Sequence, residues 1–327
     1  MKQLERLGLR LFVFSLALLA HAGAFAQAYP SRPVKFVIGF ATGGTPDVFA
    51  RLISQKMTEA WGVPVLVENR PGATGNIAAE YVAKSPADGY TIFYCDSANW
   101  AINPWLFAKL PYDPFRDFAP VILTSILPTY LTVHPSMPAN TVAEFIAYVK
   151  QRPGKLAFAT PGAGSIHHIT TEVFKSSAGL DMVHVPYKGA AAGAQAVLAG
   201  DVQMGFLSYT AVSPHVTAGK LKILGVSTAQ RSTALPNLPT LGEAGLPGFD
   251  MASALGALVP AATPREVVMK LHSGIAAAIA TPDLSAKFTG FGVINVANST
   301  PESMGALMRA EHEKFGKVVK QSGAKLD

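Results

Sequence analysis

The sequence predicts an α/β protein made of two similar lobes with a ligand cleft between them. Short apolar runs alternate with stretches of helical periodicity, first along residues 34–121 and again along 141–227, as in parallel sheets with crossover helices. Two long apolar passages, at 118–134 and 251–259, are expected to cross between the lobes. Two crossings would form a hinge. The chain has 327 residues, 49% of them hydrophobic, which is enough for two such lobes.

The start of the chain has the pattern of a secretory signal peptide. Lys2, Arg6 and Arg10 give it positive charge, ten mostly apolar residues follow, and Ala24 and Ala26 stand at the two positions that a signal peptidase recognises. We therefore expect residues 1–26 to be removed by cleavage after Ala26. The apolar run is too short for a membrane-spanning helix. The mature protein is expected outside the cytoplasm.

Composition argues against several classes of function. Without the leader, which carries three cations and one anion, the net charge falls from +6 to +4. This mild basic excess includes no polybasic run and no basic stripe interleaved with aromatic residues, so we expect no nucleic-acid binding. Cys95 is the single cysteine, and no Cys or His cluster has zinc-ligand spacing. We therefore expect no metal site and no cofactor.

The first lobe is expected to comprise residues 27–127 and 251–327, and the second lobe residues 128–250. Strands of the first lobe are predicted at 34–38, 63–68 and 91–95. Strands of the second lobe are predicted at 156–159, 182–185, 204–207 and 221–227. Helices are predicted from Pro46 and from Asn76, and at 141–150, 168–178, 190–199, 264–280 and 301–319.

A glycine-rich turn joins the first strand to its helix and is typical of a loop that binds an anion. The strand ends at Ile38, Gly43 and Gly44 follow, and Thr45 opens the helix. Free backbone N–H groups and the helix dipole favour negative charge at that end. One such turn taken alone is often only a tight connection. Its Thr-Pro-Asp start recurs at 281–283, where it is ordinary helix capping.

The second lobe repeats this arrangement. A strand runs into Gly162-Ala163-Gly164-Ser165, and a helix begins near His168. If both glycine turns face the cleft, two sets of backbone donors meet one small anionic group from opposite sides. A carboxylate suits this site because it accepts several N–H bonds and loses little when buried among them. The two turns together predict a carboxylate site.

Three further side chains are expected to line the cleft. Trp100 follows the third strand and could form a flat apolar wall, although a Trp at a strand end can also complete the core. Tyr187 and Ser208 each follow a strand of the second lobe and are expected at the cleft edge.

A secreted serine hydrolase using Ser165 and His168 is an alternative from another class. The sequence has no Gly-x-Ser-x-Gly elbow and no nearby acid with an obvious orienting role. The glycines at 162–164 also lack the third glycine of a dinucleotide fingerprint, and there is no phosphate-binding loop with the Gly-Lys-Ser/Thr ending. We therefore expect a binding protein and not an enzyme.

Short motifs with a recognisable order extend through the whole mature chain. They are Phe40-Ala-Thr-Gly-Gly44 with Asp47 and Arg51, Glu68-Asn-Arg-Pro-Gly72, Ala87-Asp-Gly-Tyr90, Val185-Pro-Tyr-Lys-Gly189 and Glu243-Ala-Gly-Leu-Pro-Gly-Phe249. In this order they resemble the Bordetella uptake gene family, the periplasmic solute-binding proteins of tripartite tricarboxylate transporters.

The resemblance implies a type II periplasmic-binding-protein fold and a periplasmic location. It also implies that a small organic carboxylate, either a di- or tricarboxylate or an aromatic acid, is delivered to membrane permease subunits. A ligand-presenting partner of a membrane sensor kinase is an alternative role for the same fold. We expect a monomer. Carried over by position, the ligand-binding residues are Phe40, Gly43, Gly44, Thr45 and Asp47 on one side of the cleft and Gly164, Ser165 and His168 on the other.

The chain departs from the family pattern at three positions. Thr42 stands where Pro is common, and Pro46 stands where Thr is common. Because proline has no N–H, one donor at that helix end is missing. Trp100 stands where smaller or polar residues are frequent, which favours a flat, aromatic carboxylate.

Overall fold

Two mixed β-sheets organise the chain in the computed structural model, which describes residues 29–322. The predicted leader lies outside these described residues. The strands are β1 Val34–Ile38, β2 Val65–Asn69, β3 Thr91–Asp96, β4 Phe118–Pro128, β5 Tyr130–Val133, β6 Ala157–Thr160, β7 Val183–Pro186, β8 Met204–Leu207, β9 Lys222–Val226, β10 Ala252–Pro260 and β11 Ile294–Asn295.

The helices pack on both faces of the sheets, as the alternating pattern predicts. They are α1 Thr45–Trp61, α2 Asn76–Ala83, α3 Asn103–Leu106, α4 Val142–Lys150, α5 Ile166–Ala178, α6 Ala190–Ala199, α7 Tyr209–Thr217, α8 Arg265–Ile279, α9 Pro282–Gly290 and α10 Pro301–Ser322, with a π-helical turn at Ala98–Ile102. Within residues 29–322, none of the helices combines the length and apolar character that a membrane crossing needs.

The two sheets follow one plan. From one edge, the first sheet has the order β2-β1-β3-β10-β4-β11, and the second has β7-β6-β8-β5-β9. In each sheet three parallel strands come first, and the next strand, β10 or β5, is antiparallel to both of its neighbours. Each of these antiparallel strands enters from the other sheet, because β4 leads into β5 and β9 leads back to β10. The loops at the carboxyl ends of β1 and β6 are therefore equivalent.

The two segments that connect the sheets, one between β4 and β5 and one between β9 and β10, meet at Ser227. Its hydroxyl accepts the N–H of Thr129 at 3.0 Å and the Thr129 hydroxyl at 2.9 Å, and it donates to the carbonyl of Met251. The backbone of Ser227 also pairs with both segments, accepting the N–H of Met251 at 2.7 Å and donating to the carbonyl of Thr129 at 3.0 Å. All three residues are buried. One side chain therefore joins the two connections between the sheets.

The largest cluster of buried apolar residues spans both sheets, and a further cluster packs on each sheet separately. Phe49, Ile53 and Met57 recur at helical spacing on α1, and all are buried against the first sheet. Phe49 stacks on Phe288 of α9 with ring centroids 4.3 Å apart. The lobe boundaries at 127/128 and 250/251 stay predictions. In the structure β4 extends to Pro128, and β10 begins at Ala252.

Helix α7 was not predicted from the sequence. Pro214 lies inside it, and a proline normally ends a helical pattern. This helix matters for the site because its first turn, with Ser208 as the N-cap and Thr210 two residues further on, lies at the carboxyl end of β8.

Candidate functional site

The first loop, residues 39–47, connects β1 to α1 through a left-handed glycine. Gly43 has φ +85°, and its N–H donates to the Asp47 carboxylate at 2.9 Å. Gly44 is the N-cap of α1, and its N–H closes a turn onto the carbonyl of Ala41 at 3.3 Å. Position 43 needs glycine because other residues rarely adopt this backbone.

The second loop, residues 160–168, is built in the same way between β6 and α5. Gly164 has φ +77°, and its N–H donates to Nδ1 of His168 at 3.2 Å. Ser165 is the N-cap of α5, and its N–H closes a turn onto the carbonyl of Gly162 at 3.4 Å. In both loops, therefore, the left-handed glycine donates to the side chain four residues further on.

Helix geometry leaves backbone donors at the starts of α1 and α5. The N–H groups of a first helical turn have no carbonyl partner within the helix. On α1 these donors belong to Thr45 and Asp47, since Pro46 has no N–H. On α5 they belong to Ile166 and His167. These amides are the groups that an anion in the cleft could engage.

The N–H groups of Gly43 and Gly164 are used inside their own loops, where they hold the two turns in shape. That these glycines contact a ligand stays a prediction. Phe40 and Tyr187 are half-buried beside the two loops, and the N–H of Tyr187 donates to the carbonyl of Thr160 at 2.9 Å.

Asp47 is a fixed negative charge of the first loop. Its buried carboxylate accepts Nε of Arg51 at 3.1 Å and Nδ2 of Asn69 at 2.9 Å in addition to the N–H of Gly43. Burial acts to raise the pKa of Asp47, but these three donors outweigh it, and the pKa lies below its usual value. The carboxylate therefore stays ionised and holds the loop in shape.

Neutral histidines stand behind the second loop. His168 stacks on His184 with ring centroids 4.0 Å apart, and His184 stacks in turn on Phe158 at 4.9 Å. Burial lowers the pKa of His168 to about 4, and the nearby Lys175 acts in the same direction. Burial likewise lowers the pKa of His184 to about 4. At neutral pH this side of the cleft offers helix-end amides and no imidazolium charge.

Ser165 and His168 do not form a nucleophile and base. The Ser165 hydroxyl donates to the carbonyl of Gly162 at 2.7 Å and accepts the backbone N–H of His168 at 3.3 Å. Nδ1 of His168 accepts the N–H of Gly164. An activated serine would instead donate to the imidazole. Both side chains shape the second loop.

The two lobes touch at the start of α1 and the start of α7. Oγ1 of Thr45 and Oγ1 of Thr210 are 3.1 Å apart, and the Thr210 hydroxyl donates to Oγ of Ser208 at 3.1 Å. Because α5 and α7 follow the neighbouring strands β6 and β8, their starts lie on the same edge of the second sheet. The amino ends of α1, α5 and α7 therefore meet at one cleft.

Trp100 does not form a wall of this cleft. Its side chain is wholly buried in the core, and its indole N–H donates to Oε2 of Glu311 at 2.7 Å. The hydroxyl of Ser97 donates to the same oxygen at 2.9 Å. Burial raises the pKa of Glu311 to about 7, although the bonds from Trp100 and Ser97 oppose this shift.

Glu311 is a residue that sequence reasoning missed. It stands on α10 between the buried Met308 and Phe315, at the spacing of the apolar face of that helix. A carboxylate on an apolar stripe was the available signal.

The loop after β2 is strained and is tied to the loop after β3. Four consecutive residues, 72–75, have positive φ, and two of them, Ala73 at +46° and Thr74 at +52°, are not glycine. The carbonyl of Thr74 accepts the side-chain amides of Asn99 at 3.1 Å and Asn103 at 3.0 Å. These bonds hold the left-handed turn in place beside the cleft.

Comparisons with known proteins agree with this fold. A family model described as the tripartite tricarboxylate transporter family receptor matches residues 49–324. The fold is similar to that of R. palustris Rpa4515 with adipate, at a TM-score of 0.86 and 37% identity, covering 91% of this chain and 100% of that one.

Two further solved structures have the same fold. The periplasmic binding protein BugD matches at a TM-score of 0.84 and 30% identity, covering 91% of this chain and 99% of that one. MatC from Rhodopseudomonas palustris with bound malate matches at 0.81 and 32% identity, covering 89% and 100%.

Replacement of Glu311 by glutamine should change how stability depends on pH. Because the pKa of Glu311 is raised to about 7, its contribution to stability is present at acid pH and is lost as the pH rises through about 7. Gln accepts the same two hydrogen bonds without a charge. Glu311→Gln should therefore gain melting temperature relative to wild type between pH 5.5 and pH 8.5. The exposed neighbour Glu313→Gln is the control, and equal pH profiles for all three proteins would contradict the expectation.

Replacement of Ala73 by glycine should stabilise the protein. A left-handed backbone costs roughly 1–2 kcal/mol for a residue with a Cβ, and the exposed Ala73 side chain has little packing to lose. We expect Ala73→Gly to raise the free energy of unfolding in urea by about 0.5–1 kcal/mol. The matched control is Ala310→Gly, exposed in the middle of α10, which should lower it by roughly 1 kcal/mol. A loss of stability at both positions would show that the turn is not strained.

Proposed function

Because the chain belongs to the family of tripartite tricarboxylate transporter receptors, we propose that it captures a small organic carboxylate between its two lobes. The members of this family bind solutes, and BugD is a periplasmic binding protein. Rpa4515 and MatC have structures with adipate and with malate. Both of these acids are small dicarboxylates.

The equivalence of the first and second loops is the observation that carries the proposal. Each loop presents the amino end of a helix to the cleft, and each uses its left-handed glycine to hold the turn open. One carboxylate could accept the N–H groups of Thr45 and Asp47 from one lobe and of Ile166 and His167 from the other. A ligand that contacts both lobes stabilises the closed arrangement over the open one.

The position of Trp100 changes which acids are favoured. The sequence suggested an aromatic acid because Trp100 could form a flat wall, but its side chain is buried against Glu311. That argument for an aromatic ligand no longer applies. Aliphatic dicarboxylates, the class found in the two relatives, are the first candidates.

After capture, the closed protein would deliver its ligand to the permease subunits of a tripartite transporter. The predicted leader, with cleavage after Ala26, would place a monomeric mature protein in the periplasm for this purpose. Phe40 and Tyr187 flank the two loops and would contact the part of the ligand beyond the shared carboxylate.

A thermal-shift screen of residues 27–327 tests carboxylate capture. The acids are adipate, malate, citrate and benzoate. An acid present at 100 times its dissociation constant should add about 2.7 kcal/mol to the free energy of unfolding, which is seen as a higher melting temperature. The absence of a shift with every acid, followed by the absence of heat in titration calorimetry, would refute the proposal.

The variant Gly44→Val then tests whether the first loop holds the ligand. A Cβ at Gly44 would lie 3.4 Å from the carbonyl oxygen of Ala41, an ordinary contact, and the backbone there is extended, so the fold should survive. The valine methyl groups would crowd the amides at the start of α1. We expect at least a tenfold loss of affinity for the acid that binds wild type.

Gly290→Val is the matched control for this substitution. Gly290 lies exposed at the end of α9 with no atom near its Cβ position, so the same change should leave affinity as it is. Equal affinities of Gly44→Val and wild type would place the ligand away from the first loop.

A further inference from the structure

Three hydroxyl groups are linked by hydrogen bonds across the cleft, and each hydroxyl donates to the next in the same order. The Thr210 hydroxyl has a single hydrogen and donates it to Oγ of Ser208 at 3.1 Å. In the 3.1 Å contact between Thr45 and Thr210, the donor must therefore be Thr45. Among the described residues, none accepts the hydrogen of Ser208. We call Thr45, Thr210 and Ser208 the cross-cleft hydroxyl chain.

The cross-cleft hydroxyl chain joins two helix ends that repel each other. Thr45 is the first residue of α1, which has 17 residues, and Ser208 is the N-cap of α7, which has nine. Both amino ends carry partial positive charge, so closing the cleft brings like charges together. The hydroxyl chain offsets part of this repulsion, and an anion between the two ends would offset more of it.

The lobes also meet elsewhere, because α10 packs against α5, and Tyr209, the neighbour of Thr210, packs against Gly292. The hydroxyl of Tyr130 donates to the carbonyl of Gly292 at 3.2 Å, and Tyr130 directly follows the crossing residue Thr129. Lys314 pairs with Asp250 at 3.3 Å, but both side chains are more than two-fifths exposed, and such pairs contribute little. The contact between Thr45 and Thr210 joins the starts of α1 and α7, which flank the cleft.

We propose that Thr210 couples ligand binding to lobe closure through this chain, an inference that rests on the proposed capture of a carboxylate. A carboxylate oxygen that accepts the Ser208 hydrogen polarises the Ser208 and Thr210 hydroxyls in turn. Hydrogen bonds in such a chain strengthen one another. The bond from Thr45 to Thr210, which joins the lobes directly, is then stronger with ligand than without it. Because this bond needs no ligand to form, the free protein also populates the closed arrangement. Thr210 acts as a positioning residue.

Two substitutions at one position separate the hydroxyl from the shape of the side chain. Thr210→Val keeps the shape and removes the hydroxyl, whereas Thr210→Ser keeps the hydroxyl. Thr217→Val, at the exposed far end of the same helix, is the matched control. Nitroxide labels on Lys84→Cys and Asp201→Cys, both exposed positions on opposite lobes, report lobe separation by double electron–electron resonance. Cys95 is buried, so labelling of the folded protein spares it.

The first measurement is made on ligand-free protein and so does not depend on the proposed function. We expect Thr210→Val to lower the ratio of the closed to the open population about two- to tenfold, the range given by one hydrogen bond. Thr210→Ser and Thr217→Val should match the parent protein. An unchanged distance distribution in Thr210→Val, or an equal shift in Thr210→Ser, would overturn the inference.

The second measurement titrates adipate into the unlabelled proteins. Thr210→Val should bind adipate more weakly than wild type, by a factor at least as large as its change in the closed population, and Thr210→Ser should bind it as wild type does. Equal affinities of Thr210→Val and wild type would overturn the coupling. A wild type that binds no acid at all would refute the proposed function. The distances between the labels in ligand-free protein would still decide whether the cross-cleft hydroxyl chain closes the lobes.

Discussion

The junction at Ser227 is the constraint on which the rest of the molecule depends. A serine hydroxyl has one hydrogen to donate and two lone pairs to accept with, and here all are used, two by Thr129 and one by Met251. Because both connections between the sheets pass this buried point, it ties the two lobes together at one place. The carboxyl ends of β1 and β6 therefore stay opposite each other, and with them the two glycine loops.

The site that results is polar without being strongly cationic. Asp47 is an ionised carboxylate beside the cleft, and Arg51 and Asn69 satisfy it. His168 and His184 are neutral at pH 7 because burial lowers the pKa of each to about 4. A bound anion would thus be held by oriented amides and hydroxyls. Such fixed dipoles need little rearrangement when the ligand enters.

The sequence predicted the family, the two-lobed α/β fold and the two glycine turns correctly, because periodicity, glycine and helix starts are local signals. It did not predict which amides are free, since that depends on Asp47 and His168 folding back onto Gly43 and Gly164. It placed Trp100 in the cleft because the partner that buries it, Glu311, is 211 positions away in the chain. It missed α7, and with it Thr210, because Pro214 hides the helical pattern.

The most direct test of this account is a crystal structure of residues 27–327 with the acid that gives the largest thermal shift. The account predicts one carboxylate between the starts of α1 and α5, with its oxygens about 3 Å from an amide nitrogen of Thr45 or Asp47 and from one of Ile166 or His167. A carboxylate bound to one lobe only, or bound outside the cleft, would contradict it.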